Sequence, residues 1–139
     1  MMYLSGIHAL NISCRLLTCG DWHTSALKWD RSIIEKHLYD SSKSLFGDYG
    51  IESNRVIPEN KGLFNVANHI RALLDLLADG NFSVAQGMRN DFICNEDYTG
   101  EVFSKAIMLV NASNWNEIDG FLEREYRNSW VEWKGVSLL

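Results

Sequence analysis

The sequence predicts a mainly helical domain, or an α+β domain with two or three short strands in its N-terminal half. Apolar residues recur at three- and four-residue spacing through 62–80, and the same period returns around 102–110 and 115–130. The N-terminal half instead holds short apolar runs interrupted by glycines and by the single proline, Pro58. The 139 residues match the size of one ordinary domain, and no Pro-, Ser- or Gly-rich linker divides them, so 1–139 read as a single compact globular unit. With 46% apolar residues and five tryptophans there is ample material for a core, and intrinsic disorder is excluded.

Taken in order, residues 2–12 mix apolar and small side chains without a helical period and fit either a buried strand or an irregular apolar lead. Gly20 marks a turn, after which Asp21 or Thr24 can cap a short segment over 25–29. Ile33, Ile34, His37 and Leu38 share a helical face and predict a helix over 31–39. Residues 45–61 form the longest irregular stretch, with one short strand near 55–57. A core helix follows over 62–80, roughly 25 Å long at its rise per residue. Its stripe is Leu63, Val66, Ala67, Ile70, Leu73, Leu74 and Leu77; Asn65, Asn68, Arg71, Asp75 and Asp79 lie opposite, and Gly80 supplies the stop. Asn81 caps a short turn, Thr99 opens a helix with Val102, Phe103, Ala106, Ile107 and Val110 inward, and Ser113 opens a last helix running to Trp130.

The net charge of −5 argues against nucleic-acid binding by broad phosphate neutralisation. No long apolar run and no secretory-type leader are present, so the sequence reads as soluble, without a membrane partner, and cytoplasmic. Cys14, Cys19 and Cys94 are odd in number, which points to unpaired thiols in a reducing compartment.

Cys19, Asp21 and His23, beside Cys14, are the densest group of reactive side chains. As a nucleophilic site the group would use a Cys19 thiolate with His69, His8 or His37 as base. As a zinc site it would recruit Cys14, Cys19, His23 and Cys94, but the spacing is not a common one, so no metal is expected. The plainer reading makes the cysteines small core residues, Asp21 a turn cap and His23 a local hydrogen-bonding group. Asn68 and Arg71 could receive an anionic ligand, although pairing of Arg71 with a carboxylate is the commoner outcome. Asp91, Glu96 and Asp97, with Asp48, Tyr49 and Glu52 in the long loop, make an acidic, aromatic-bearing surface suited to a basic protein partner. No phosphate loop, nucleophile elbow or dinucleotide fingerprint occurs, so no cofactor is implied and catalysis is left open.

The stretches 3–11, 19–23, 46–52 and 66–75 together resemble small uncharacterised bacterial proteins loosely associated with defence or toxin–antitoxin gene neighbourhoods. The resemblance implies a regulatory or neutralising role and carries no catalytic residues. The leading expectation is a small acidic protein that binds and modulates or neutralises another protein, in the manner of an antitoxin, immunity protein or inhibitor. The alternative is a small enzyme or metal-dependent module built on Cys19, Asp21, His23 and His69. A homo-oligomeric structural role is the third reading.

Overall fold

A computed structural model of the chain describes residues 1–20 and 23–138, and in it four short strands form one mixed sheet. They are β1 (Met2–Leu4), β2 (Leu38–Asp40), β3 (Ile51–Arg55) and β4 (Phe64–Ala67), in the order β2–β1–β4–β3. β1 runs antiparallel to β2 and parallel to β4, and β3 closes the other edge antiparallel to β4. The N-terminal half thus carries one strand more than the upper expectation. Seven α-helices complete the described chain: α1 (Gly6–Leu10), α2 (Arg31–Lys36), α3 (His69–Ala78), α4 (Phe82–Ala85), α5 (Thr99–Ala106), α6 (Trp115–Tyr126) and α7 (Asn128–Ser137). A π-helical segment, Met88–Ile93, lies between α4 and α5. Among the described residues no helix is long and apolar enough to cross a membrane.

Several boundaries differ from the periodic pattern for one reason: strand pairing outcompetes helix propensity where a neighbouring strand offers its backbone. The 62–80 helix shortens to α3 because Phe64–Ala67 pairs on both sides within the sheet, which leaves Leu63 63% exposed. Asn68 then caps α3, its Oδ1 accepting the Arg71 N–H at 2.8 Å. Gly80, at φ +76°, ends it as expected, with Asn81 N–H returning to Leu76 O at 2.8 Å. The 31–39 helix stops at Lys36, since Leu38 and Tyr39 pair with β1. The last helix is split at Arg127, whose φ of 56° turns the chain between α6 and α7. The long 45–61 stretch does hold a strand, but at Ile51–Arg55 rather than 55–57.

α3 packs against α1, α4, α5 and the sheet, so its buried surface extends round the cylinder and includes Asn68, Arg71 and Asp75 as well as the apolar stripe. At Asn68, Arg71 and Asp75 the opposite face is therefore interior rather than solvated, while Asp79 at its end is exposed. The C-terminal helices pack through aromatic rings, with Phe103 4.9 Å from Tyr126 and 5.1 Å from Trp130 between centroids. Ile70 and Leu74 are fully buried in the continuous core. Ile70→Ala or Leu74→Ala should each lower the unfolding free energy by about 3 kcal/mol in urea melts, and a loss under about 1 kcal/mol at both would displace α3 from the core.

Candidate functional site

The loop 12–20 crosses the N-terminal end of α3 and is fastened along its whole length. Arg15 N–H donates to Glu52 Oε2 at 2.8 Å, the Arg55 guanidinium bonds both the Glu52 carboxylate and Ser13 O, and Arg15 Nη2 reaches Ser53 O at 2.7 Å. Farther on, Leu17 N–H donates to the Tyr98 hydroxyl at 3.0 Å and Cys19 N–H to Phe92 O at 3.0 Å. Gly20 is packed too closely for a side chain: a Cβ there would lie 2.8 Å from Leu10 O and 3.3 Å from the His69 ring.

A disulfide joins Cys19 to Cys94, with 6.0 Å between the Cα atoms. The expectation of three unpaired thiols is overturned, because the segment after the π-helix folds back onto the 12–20 loop and brings together two cysteines 75 residues apart. Cys19 therefore cannot serve as a thiolate nucleophile while the bond is intact, and the zinc set of Cys14, Cys19, His23 and Cys94 loses two donors. Among the described residues no group of three or more His, Cys, Asp or Glu side chains is placed to hold a metal. Asp21 lies outside the described residues. His23 is exposed.

His69, 1% exposed, is engaged at both ring nitrogens: Nδ1 with Thr18 Oγ1 at 2.6 Å and Nε2 with Ile12 O at 2.7 Å. Thr18 Oγ1 in turn lies 3.3 Å from Cys14 Sγ. The cysteine brought to His69 is thus Cys14, with Thr18 between them, and Thr18 and His69 stand 51 residues apart, so no local spacing announces the grouping. The other bases considered are engaged elsewhere, His8 with Lys28 O at 3.0 Å and His37 with Ile33 O at 2.7 Å. Burial holds the His8 imidazole below its ordinary pKa, against the Lys28 carbonyl bond that raises it.

The proposed binding residues divide between interior and surface. Arg71 is fully buried and bonds Asp75 Oδ1 through Nε at 3.0 Å, the carboxylate pairing expected of it. Gly50, at φ +70°, permits this arrangement, since a Cβ there would fall 2.8 Å from Arg71 Cβ. Asn68 is the α3 cap, and Glu52, 8% exposed, is the anchor of the 12–20 loop. The Tyr49 hydroxyl donates to Glu101 Oε2, and Lys105 Nζ stands 4.2 Å from its ring centroid. Asp48, Asp91, Glu96 and Asp97 are exposed.

Asp91 borders an open, largely apolar groove of about 650 Å³. Ile7, Leu27, Val84 and Phe92 supply its apolar wall, and Asp91 and His23 its polar edge. The π-helix places Phe92 and Asp91 side by side there, while Cys94 fastens the end of the same segment. Glu96 and Asp97 continue the negative surface, with Arg89 the nearest cation to Glu96 at 3.9 Å. In comparisons with known proteins, no family model matches the chain, and neither does any curated protein or solved structure.

Proposed function

We propose that this chain is a small acidic module that binds and modulates, or neutralises, another protein, as an antitoxin, immunity protein or inhibitor would. The observation that carries the reading is the 650 Å³ groove whose apolar wall of Ile7, Leu27, Val84 and Phe92 is edged by Asp91. An interface of this kind takes apolar anchors in its centre and reads charge at its rim. With a net charge of −5 on the chain, the matching partner presents Leu or aromatic side chains flanked by Lys and Arg. The Cys19–Cys94 disulfide weighs toward an oxidising environment for this encounter and against the cytoplasmic placement read from an odd cysteine count.

The test uses synthetic peptides pairing Leu, Phe or Trp with Lys and Arg, and counterparts with Glu in place of the basic residues. The basic peptides should bind, more weakly as salt rises, and Phe92→Asp should abolish binding. Changing Asp91, Glu96 and Asp97 together to Asn or Gln should leave the thermal midpoint nearly unchanged, because exposed ion pairs contribute little, yet slow association. Equal binding of both peptide sets, or unchanged affinity and salt dependence in the triple variant, would make this ordinary solvated surface.

A further inference from the structure

Cys14, half-buried, is the one cysteine outside the disulfide, and its hydrogen-bonded chain has a defined polarity. Ile12 O can only accept, so His69 Nε2 carries a proton and, in the neutral ring, Nδ1 accepts. Thr18 O–H therefore donates to Nδ1, and the Thr18 oxygen accepts Cys14 S–H. A proton passed along this chain leaves a Cys14 thiolate that accepts from Thr18 O–H, and an imidazolium whose two N–H groups are held by Thr18 Oγ1 and Ile12 O. Burial alone pushes the Cys14 thiol up, but hydrogen bonds from His69 and Thr18 and the His69 charge outweigh it, and the thiol lies below its ordinary pKa.

The surroundings favour an anionic reactant. Exposed Arg15 adjoins Cys14 in the chain, its guanidinium on Ser53 O, and the Arg55 guanidinium bonds Ser13 O, so the residues on either side of Cys14 each carry or bind a cationic side chain. A cleft of about 340 Å³ opens at the two residues preceding Cys14, lined by Ile12, Ser13, Arg55 and Val56 among others.

We propose that Cys14 is a nucleophilic thiol site that exchanges with low-molecular-weight disulfides bearing carboxylates, with Thr18 and His69 as its positioning and proton-holding partners. The Cys14 thiolate attacks one sulfur of the disulfide; a new S–S bond forms as the old one breaks, and the second sulfur leaves with the electron pair. The leaving thiolate takes the proton held at His69 Nδ1, returned through Thr18. Cys14 is oxidised to a mixed disulfide, one equivalent of small thiol is released, and no other oxidant is consumed. The carboxylates rest against Arg15 and Arg55.

Oxidised glutathione is the probe, followed by intact mass, peptide mapping and the rate as a function of pH. One glutathionyl adduct should map to Cys14 with Cys19–Cys94 intact. At pH 7 the rate should fall about fivefold or more in Thr18→Val, with the pH midpoint displaced toward an ordinary thiol, and Thr18→Ser should restore both. Arg15→Gln should slow oxidised glutathione but not the uncharged hydroxyethyl disulfide. His69→Gln should behave like Thr18→Val if circular dichroism shows it folded; because it removes a buried contact, the half-buried Thr18 variants carry the decision. An unchanged rate and pH midpoint in Thr18→Val, an adduct on Cys19 or Cys94, or no adduct on the folded chain would overturn the site. Equal effects of Arg15→Gln on both disulfides would overturn its preference for carboxylates.

Discussion

Replacing Arg71 with leucine should lower the unfolding free energy by about 3 to 5 kcal/mol at pH 7, the usual consequence of removing one member of a buried ion pair. All five guanidinium N–H groups have partners: Nε bonds Asp75, Nη1 bonds Gly47 O at 2.7 Å and Tyr49 O at 2.6 Å, and Nη2 bonds the Tyr3 hydroxyl at 2.8 Å and Ser44 Oγ at 3.0 Å. One side chain thus ties β1 and the 44–49 loop to α3. Most of the loss comes from what remains, since Asp75 is 4% exposed and keeps only Ser5 at 2.6 Å and Tyr3 at 2.7 Å as donors. Burial already pushes the Asp75 carboxyl above the ordinary carboxylate range, opposed by hydrogen bonds from Ser5 and Tyr3 and by Arg71. Removing Arg71 raises it further. A carboxyl whose folded pKa lies above the unfolded value of about 3.9 contributes its stability below that value and loses it as pH rises through the folded pKa. The variant should therefore be impaired less at pH 4 than at pH 7, and adding Asp75→Asn should recover part of the loss at neutral pH. Urea melts giving a loss under about 1 kcal/mol, or one identical at both pH values, would contradict this account of the network.

Arg71 and Asp75 also mark how far the sequence could be read. Their i,i+4 spacing made a pair legible, but their burial was not, because a helical wheel shows which side is polar and not what will cover it. The covering comes from Tyr3 and Phe46, rings 5.0 and 5.5 Å from the guanidinium carbon, contributed by chain far from α3. The same limit shortened the helix, as Phe64–Ala67 continues an apolar pattern that fits either period until two strands lie beside it. The helices α5 and α6 were visible from their stripes because local packing decides them. At the thiol centre, the sequence offers His69 as a base for Cys19, whereas the fold brings Cys14 to it. The choice depends on where the 12–20 loop is fastened, by Glu52 and Arg55 at one end and Tyr98 and Phe92 at the other. Three cysteines allow three single pairings plus the fully reduced state, and spacing does not choose among them.

The disulfide itself should be the other large contributor to stability. Closing a loop between residues 75 apart removes enough conformational freedom from the unfolded chain to stabilise the fold by about 4.5 kcal/mol, as an upper figure on the loop-entropy model. The folded state should change little when the bond is absent, because Cys19 N–H still donates to Phe92 O, Leu17 N–H to Tyr98, and Asn95 Nδ2 to Leu17 O at 3.3 Å. The Cys19→Ser/Cys94→Ser variant should accordingly show a native-like spectrum and a denaturation midpoint well below that of the oxidised parent. Because Cys94 is exposed, reductant should reach the bond in the folded protein and produce the same shift in the parent while leaving the double variant unaffected. Thiol titration after denaturation should find one group without reductant and three with it. Three groups without reductant would restore the unpaired cysteines expected from composition, and a midpoint unchanged by both reduction and substitution would mean that the bond closes a loop already restrained in the unfolded chain.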